Sequence, residues 1–363
     1  MGTFEQARDF FMQGLGHYQA GRYRAADDYF AAALALAPGR VSALANLGAT
    51  RLKLGQFQDA ADLLAEALAQ EPDNVEALAH RATALAELGS HREALACADR
   101  AVELDPALGA AWSLRGNLLK DLGRLDEAAM SFRNAIARGA DNSLNRYCLA
   151  ALTGRDHPAA PPPEYVQSLF DSYADGYERH LVEVLNYRAP QVLAQGLQGM
   201  GRNFAHGLDL GCGTGLCGPL LRPLAARLDA VDLSANMVER ASALAIYDEV
   251  VQAELVAYLT GTARRYDLMV AADVFIYVGA LEAVFAGVAR VLQPGGVFCF
   301  SVEAAPPGQD LALRPSLRYA HSRGYIERLA ALHGFEVQAS AALPIREDQR
   351  VPIAGLYFWL HKA

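Results

Sequence analysis

Small and apolar positions in the first half of the chain recur with a period of 34 residues. The period is kept by columns of glycine, alanine, larger apolar residues and proline: Gly21, Gly55, Gly89 and Gly123; Ala26, Ala60, Ala94 and Ala128; Phe30, Leu64, Ala98 and Phe132; Ala33, Ala67, Ala101 and Ala135; Pro38, Pro72 and Pro106. Such a period predicts helix pairs, with the glycine in the turn and the proline ending the second helix. We place the units at 5–38, 39–72, 73–106 and 107–140, with a capping helix over 143–152.

This period resembles the tetratricopeptide repeat, a helix–turn–helix unit whose copies stack into an all-α solenoid. The resemblance implies a concave groove that binds a protein or peptide partner. The repeat spacing places these side chains toward the groove: Phe11, Leu15, Tyr18, Ala45, Ala49, Leu52, Thr83, Ala86, Asn117 and Lys120. The alternative, that several of them pack in the core of the array, stays open at this point.

A proline-rich stretch over residues 153–163 separates the two halves of the chain. Three successive prolines cannot lie inside a helix, and they favour a stiff extended spacer. A helical pattern with aromatic residues on one face then runs over 164–185. We therefore expect two domains, a repeat array over 1–152 and a second domain over 164–363.

Short apolar runs alternate with helical stretches in the second half. The candidate strands are 204–210, 227–232, 249–252, 266–272, 296–303, 334–340 and 354–361. This alternation predicts a Rossmann-like α/β domain with a mostly parallel, seven-stranded sheet. Ligands of such sheets bind at the carboxyl ends of the strands, near the point where the strand order reverses.

The first predicted strand of this sheet ends in a glycine-rich turn, Gly211-x-Gly213-x-Gly215. Because glycine has no Cβ atom, the backbone of such a turn can approach a ligand closely. The next strand ends at Asp232, whose carboxylate can accept hydrogen bonds from a ribose diol. The dinucleotide fingerprint has a different spacing, Gly-x-Gly-x-x-Gly, which serves a pyrophosphate. The pattern therefore indicates an adenosine-containing cofactor without a pyrophosphate.

With an aspartate before the turn and another after the second strand, this pattern resembles the motif of class I S-adenosylmethionine-dependent methyltransferases. Three segments in the last third of the chain resemble a bacterial group of methyltransferases that carry tetratricopeptide repeats: Phe300-Ser301-Val302-Glu303, Pro315-Ser316-Leu317-Arg318-Tyr319-Ala320-His321 and Gly355-Leu356-Tyr357. The resemblance implies S-adenosylmethionine as cofactor and S-adenosylhomocysteine as product. The cofactor-binding residues that it implies are Tyr173, Tyr177, Asp209, Gly211, Cys212, Gly213, Gly215, Asp232, Leu233, Met237, Ala253, Glu254, Asp273 and Val274.

The methyl acceptor is expected over the ends of the fourth and fifth strands. No (Asn/Asp)-Pro-Pro-(Tyr/Phe) segment, which holds planar amines in many related enzymes, follows the fourth strand, so an acid, a hydroxyl or a protein side chain fits better. The candidate catalytic residues are His321, Tyr277 and Glu303. His321 is preferred as general base because the pKa of a free histidine lies near neutrality. The candidate substrate-binding residues are Arg318, Tyr319 and Arg346, whose arginines suit an acidic acceptor, although ordinary ion pairs explain arginines as well.

The composition argues against a nucleic-acid partner and against an oxidising compartment. The net charge of −9 is shared by both halves, whereas nucleic-acid binders usually present a basic face. The five cysteines form no Cys-x-x-Cys pair, which predicts reduced thiols and no metal site. The chain shows no apolar run of membrane-spanning length and no signal-peptide pattern, so we expect a cytoplasmic protein without a membrane partner.

Three functions are consistent with the sequence. The first is a methyltransferase that acts on an O or N acceptor of a small or carrier-bound metabolite, with the repeats recruiting a partner. The second is a protein methyltransferase whose repeat groove binds the substrate polypeptide. The third is a non-catalytic adaptor in which cofactor binding regulates the repeats.

Overall fold

The computed structural model describes residues 3–156, 158–172, 185–348 and 350–363. The chain divides into two compact units, Met1–Thr153 and Gly154–Ala363. Within the described ranges, no helix is long and apolar enough to cross a membrane. The same ranges contain no group of three or more His, Cys, Asp and Glu side chains that is arranged to hold a metal ion.

The first unit consists of paired helices, each packed against the next. Its helices are α1 (Thr3–Gln19), α2 (Tyr23–Leu36), α3 (Val41–Lys53), α4 (Phe57–Gln70), α5 (Val75–Glu87), α6 (His91–Leu104), α7 (Gly109–Asp121), α8 (Leu125–Ala137) and α9 (Ser143–Thr153). The turn within each pair contains one of the repeated glycines with φ between +71° and +77°. Glycine adopts this left-handed conformation without a steric cost, which explains why the residue recurs at this position.

A second set of glycines allows the two helices of a pair to pack closely. A Cβ atom on Gly14 would lie 2.7 Å from the ring of Phe30, and one on Gly48 would lie 2.7 Å from the side chain of Leu64. Both of these large side chains are fully buried. The helix pair thus closes because a large residue on one helix fills the space left by a glycine on the other.

Three of the predicted groove residues belong to the core of the array. Phe11, Leu15 and Tyr18 are partly buried and pack against the cluster that contains Phe30 and Leu47. These three side chains therefore contribute to the contact between helices, which is the alternative that the sequence left open, and their part in a groove stays a prediction.

The second unit is an α/β domain built around one sheet. Its helices are α10 (Pro163–Ser172), α11 (Ala189–Gly199), α12 (Gly218–Leu221), α13 (Ala235–Ala243), α14 (Leu255–Gly261), α15 (Glu282–Val291) and α16 (Arg323–Leu332), with a 3₁₀ turn at Phe275–Tyr277. Its strands are β1 (Phe204–Leu210), β2 (Ala225–Asp232), β3 (Glu249–Gln252), β4 (Tyr266–Ala271), β5 (Leu292–Ala304), β6 (Leu311–Leu313), β7 (Tyr319–His321), β8 (Phe335–Asp348) and β9 (Val351–Lys362).

The strand order places the carboxyl ends of the parallel strands along one edge of the sheet. Strands β3, β2, β1, β4 and β5 are neighbours in that order and all run parallel. The hairpin of β8 and β9 adds antiparallel strands beyond β5. The chain order reverses between β1 and β4, which is where such a sheet holds its ligand.

The described part of the sheet has nine strands, two more than predicted. The additional strands are β6 and β7, of three residues each, and β7 pairs with the last residues of β5. Strands this short carry too few residues for an alternating pattern to identify them. The predicted fold class, a helical repeat array followed by a mostly parallel α/β domain, is confirmed.

The proline-rich stretch after Thr153 is part of the second unit, and its latter half contacts the α/β domain, which the prediction of a stiff extended spacer did not include. Ala280 donates its backbone N–H to the carbonyl oxygen of Ala159 (2.8 Å). The Tyr319 hydroxyl donates to the carbonyl oxygen of Pro158 (2.7 Å). Residues 158–163 therefore pack along the α/β domain as a strap, and we keep that name below.

Candidate cofactor and acceptor site

The glycine turn that follows β1 is held against β2 by its own backbone. Gly211 donates its N–H to the carbonyl oxygen of Val231 (2.8 Å), and Gly213 donates to Oδ2 of Asp232 (2.8 Å). Both glycines have positive φ, at +67° and +54°. A Cβ atom on Gly211 would lie 2.6 Å from the side chain of Val274, whereas one on Gly213 would meet nothing within 4 Å. The turn is thus closed on its inner side and open toward a ligand at Gly213.

Asp232 is placed by β2 at the mouth of the same turn. Its Oδ1 accepts a hydrogen bond from the backbone N–H of Ser234 (2.9 Å), while Oδ2 accepts from Gly213. Burial raises the pKa of Asp232, and the backbone N–H groups around the carboxylate oppose that rise. Each carboxylate oxygen has a further lone pair, so the side chain retains the capacity to accept bonds from a ribose diol.

Asp209 lies behind the turn rather than in the site. Its side chain is buried, and Oδ2 accepts a hydrogen bond from the Tyr247 hydroxyl (2.7 Å). Its Oδ1 has no hydrogen-bond partner among the described residues. Burial raises the pKa of Asp209 to about 7, with Asp232 adding to the rise and the Tyr247 hydroxyl opposing it. The predicted cofactor contact of Asp209 is therefore replaced by a bond to Tyr247.

A cavity of about 800 Å³ opens at the carboxyl ends of β1, β2, β3 and β4. Of the predicted residues, its lining contains Gly211, Cys212, Gly213, Asp232, Leu233, Ala253, Glu254, Asp273, Val274, Tyr277, Arg318 and Arg346. Six further predicted residues do not line it: Asp209, Gly215, Met237, Glu303, Tyr319 and His321. Tyr173 and Tyr177 lie outside the described residues. The glycine turn and the two arginines therefore meet at one cavity.

Several of these residues support the cavity wall instead of facing it. Met237 and Tyr319 are fully buried, and Tyr319 is held by the strap. Gly215 packs against the end of α13, since a Cβ atom there would lie 2.6 Å from Leu244. Their predicted contacts with cofactor or substrate are corrected to structural roles, because Met237 and Tyr319 fill the interior and Gly215 leaves room for its close neighbours.

Glu254 has a local partner that the sequence did not indicate. Its two carboxylate oxygens accept the backbone N–H groups of Val256 (2.9 Å) and Ala257 (2.6 Å), the first turn of α14. This is the arrangement of a helix N-cap. The backbone of Ala253, whose N–H donates to the carbonyl oxygen of Asp232 (2.9 Å), is the neighbouring group in the cavity wall.

A buried chain of ion pairs closes the acceptor end of the cavity. The Arg346 guanidinium bonds to the carboxylates of both Asp273 and Glu303. Arg314 approaches the other oxygen of Glu303, with 3.4 Å between Nε and Oε2. Burial alone would lower the pKa of Arg346, but the two carboxylates outweigh it and raise that pKa. Glu303 is therefore a partner of Arg346, and its predicted role as a catalytic residue is corrected.

Asp273 has a strained backbone, which directs its side chain toward Arg346. Its φ is +58°, uncommon for a residue with a Cβ atom, and its N–H donates to Oγ of Ser301 (2.9 Å). One carboxylate oxygen bonds to Arg346, whereas Oδ1 has no hydrogen-bond partner among the described residues. Outliers of this kind concentrate at functional sites, and this one lies on the cavity wall.

His321 lies in the interior of the domain, and its predicted role as general base is wrong. The side chain is fully buried, with Nε2 2.6 Å from the carbonyl oxygen of Gly279. Burial lowers the pKa of His321 to about 4, although that carbonyl oxygen acts in the opposite direction. The ring is therefore neutral at physiological pH and has no access to the cavity.

The cavity also contains residues that sequence reasoning missed. The strap contributes Ala159, Ala160 and Pro161, and Tyr187 contributes from the segment before α11. The Tyr187 hydroxyl donates to the carbonyl oxygen of Ala272 (3.1 Å), at the end of β4. Three successive prolines were the available signal for the strap, but they indicate an extended conformation without indicating what it packs against.

Comparison with known proteins assigns both domains. A family model described as a methyltransferase domain matches residues 208–300. Two tetratricopeptide-repeat models match residues 51–118 and 109–138. The predicted combination of repeats and a methyltransferase domain is thereby confirmed.

A curated relative is the malonyl-[acyl-carrier protein] O-methyltransferase of Enterobacter lignolyticus (strain SCF1), with 30% identity over 167 residues. The match covers 46% of this chain and 64% of the relative, so it spans less than two thirds of that protein. Among solved structures, the magnesium protoporphyrin IX methyltransferase from Synechocystis PCC 6803 with bound SAM has 16% identity and a TM-score of 0.43, covering 57% of this chain and all of that one. MamA from Desulfovibrio magneticus RS-1 has 17% identity and a TM-score of 0.39, covering 41% of this chain and 85% of that one.

Proposed function

Because the chain joins tetratricopeptide repeats to a methyltransferase domain, we propose that it transfers a methyl group from S-adenosylmethionine to an oxygen of a small or carrier-bound metabolite, and that the repeats recruit a partner protein. The proposal is carried by one observation. The open glycine turn and the Asp232 carboxylate share a cavity with two arginines at the carboxyl edge of a parallel sheet.

The residues at the turn fit the cofactor. Gly213 faces open space in a conformation that favours glycine, and the half-buried carboxylate of Asp232 stands next to it. In our proposal, Asp232 holds the ribose hydroxyls and the side chain of Leu233 packs against the base, next to the backbone of Ala253. The turn admits the amino-acid end of the cofactor close to the backbone of Gly211.

The role that we assign to the protein is to position the two reactants. The bound cofactor supplies a methyl group on a positively charged sulfur. The chain holds the acceptor in line with that methyl group, and such positioning accounts for much of the rate of a displacement reaction. The largely apolar wall, with Leu216, Val231 and Val274, excludes the water that would compete as acceptor.

An oxygen acceptor and a carrier are supported by the relative that is an O-methyltransferase of malonyl-[acyl-carrier protein]. A cavity of about 800 Å³ has room for an acceptor beside the cofactor. A repeat groove that recruits a carrier or other partner would raise the local concentration of the acceptor at the site.

Transfer of labelled methyl from S-adenosylmethionine into a cell extract tests the proposal. We expect the full chain to label the metabolite or carrier fraction and the Asp232→Ala variant to label it at least about ten times less at limiting cofactor concentration. Label confined to ordinary protein side chains would favour a protein methyltransferase. Measurable cofactor binding without any labelled product would support the adaptor instead.

A further inference from the structure

The five charged groups that interact around Glu303 do not balance, although Asp232, Glu254 and Glu282 also line the cavity. Asp273 and Glu303 contribute two carboxylates, and Arg314, Arg318 and Arg346 contribute three guanidinium groups, which leaves one positive charge. Four of these five groups are joined by direct contacts into the buried chain Asp273–Arg346–Glu303–Arg314. Because that chain pairs two cations with two anions, the unbalanced charge is that of Arg318.

Arg318 differs from Arg346 in its partners. Among the described residues, no carboxylate oxygen lies within 4.0 Å of the Arg318 guanidinium, whereas Arg346 contacts two carboxylates. Arg318 is half-buried and lines the cavity, where a hydrogen bond with Tyr277 and the attraction of Asp273 at longer range oppose the effect of burial and raise its pKa. A partly desolvated cation without a carboxylate partner is less stable than one with a partner, so an anion in the cavity would stabilise it.

The loop between β6 and β7 is built to place this side chain. Arg314 donates its backbone N–H to the carbonyl oxygen of Arg318 (2.9 Å), and Leu317 donates to that of Arg314 (2.8 Å). Leu317 is buried with φ at +61°, a conformation that is costly for a large side chain. The short hairpin thus holds a strained residue directly before Arg318, which fixes the direction in which the guanidinium enters the cavity.

The lining residues also lack a nitrogen base, as far as the structure describes them. They contain no histidine and no lysine. Of the lining carboxylates beyond the cofactor end, Asp273 pairs with Arg346, Glu254 caps α14 and Glu282 is exposed at the start of α15. Burial raises the pKa of the two lining thiols, Cys212 and Cys217, so that both stay protonated near neutrality. A hydroxyl or ammonium acceptor needs a base to remove its proton, whereas a carboxylate is already deprotonated at neutral pH.

From this charge and this lining we infer that the acceptor group is a carboxylate of a small or carrier-bound acid, oriented by Arg318 together with Tyr277. A carboxylate oxygen forms a bond to the methyl carbon while the bond from that carbon to sulfur breaks. The electron pair of the broken bond stays on sulfur, so the products are a methyl ester and S-adenosylhomocysteine, and no proton is transferred. The inference rests on the proposed methyl transfer and names the substrate class of the same site.

The chemical stability of the labelled product decides between acceptors. The full chain is incubated with S-adenosylmethionine labelled in its methyl group and a cell extract, and the product is then treated with mild base. A methyl ester releases its label as methanol, whereas a methyl ether or methylamine retains it. We expect base-labile label, whether in the small-molecule fraction or on a carrier. Base-stable label overturns the carboxylate while leaving methyl transfer intact, and the absence of label despite cofactor binding overturns both.

Variants of Arg318 test its role as a positioning residue. We expect Arg318→Met to lower kcat/KM for the acceptor about 10- to 100-fold, since a charge-assisted bond is lost, and to change the affinity for S-adenosylmethionine less than about twofold. Arg318→Lys should restore part of the loss.

Arg328→Met is the matched control, because Arg328 is exposed and pairs with Asp310 at the surface. It should leave kcat/KM for the acceptor unchanged. Equal activity of the Arg318→Met and Arg328→Met variants would overturn the assignment of Arg318. An equal loss of acceptor and cofactor binding in the Arg318→Met variant would overturn it as well, because that result indicates a disturbed fold rather than a lost contact with the acceptor.

Discussion

The two units of this protein are specified by the sequence in different ways. In the repeats, the contacts within a pair join residues that are near in the chain: Gly48 packs against Leu64, as Gly14 packs against Phe30 and Gly116 against Phe132. In the α/β unit, the cavity collects residues from Ala159 to Arg346. A local and periodic structure can be read from a pattern, whereas a site assembled from distant segments depends on packing that no single stretch reveals.

This contrast predicts that Gly279, which lies against the strap, is far more sensitive to substitution than a glycine in an open turn. We expect Gly279→Ala to lower the free energy of unfolding by about 4 kcal/mol. The left-handed φ of +82° accounts for about 1 kcal/mol of this, and loss of the strap contact for the rest, because the new Cβ would lie 2.2 Å from the carbonyl oxygen of Ala159. Chemical denaturation measures the change.

Gly308→Ala is the matched control for that experiment. Gly308 has the same φ of +82°, but a Cβ atom there meets nothing within 4 Å. Only the backbone contribution of about 1 kcal/mol should remain. Equal losses for the two variants would show that the strap does not stabilise the domain.

The second prediction concerns the buried Asp209. The pKa of Asp209 is about 7 in the folded protein, which is higher than in the unfolded chain. Protonated Asp209 therefore makes its full contribution to the free energy of unfolding below the unfolded pKa, and this contribution is lost as the pH rises through about 7. Asp209→Asn removes this dependence and keeps an oxygen that accepts from Tyr247. The free energy of unfolding of Asp209→Asn, relative to that of the unmodified chain, should therefore increase by about 2–3 kcal/mol between about pH 5 and pH 8. Thermal or urea unfolding without cofactor measures this, and a pH-independent difference would contradict it.

The third prediction concerns cofactor affinity. Asp232→Ala should weaken the binding of S-adenosylmethionine about 30-fold, or about 2 kcal/mol, because the ribose loses its charged acceptor. Asp232→Asn retains one oxygen, which can accept from only one of the N–H groups of Gly213 and Ser234, so its affinity should lie between those of the unmodified chain and Asp232→Ala. Isothermal titration calorimetry measures the affinities, and unchanged binding by Asp232→Ala would contradict the placement of the cofactor.

The smallest effect is expected in the repeats. Gly123→Ala should cost about 1 kcal/mol, since the residue has a φ of +73° but no atom within 4 Å of its missing Cβ. The change should leave cofactor affinity unaltered, because the contacts of a repeat are local. Denaturation and calorimetry measure the two quantities, and a change in affinity would show that the two units are energetically coupled.

The residues that were predicted well are those whose role follows from the backbone alone. Strands over 204–210 and 249–252 occur as expected, and Gly211 and Gly213 need the open turn that their spacing indicated. His321 was misjudged because its type suggested titration near neutrality, while its burial lowers the pKa. Burial is a property of the assembled domain, so the sequence pattern did not contain it.

The acceptor end could not be predicted for a related reason. Arg318 and Arg346 are the same residue type, yet one pairs with two carboxylates and the other with none among the described residues. Their difference arises from β6 and β7, which are too short for their pattern to be recognised, and from the register of β8 against β9. The sequence identified both arginines as candidates, but the carboxylates that each one contacts in the folded domain determine its role.

The strap has a consequence for how such domains are recombined. Its carbonyl groups accept hydrogen bonds from Ala280 and Tyr319, so the proline-rich residues belong to the α/β fold and not to the repeats. An exchange of the repeat array at residue 154 would keep the strap. An exchange at residue 164, where the second domain is predicted to begin, would remove part of the cavity wall.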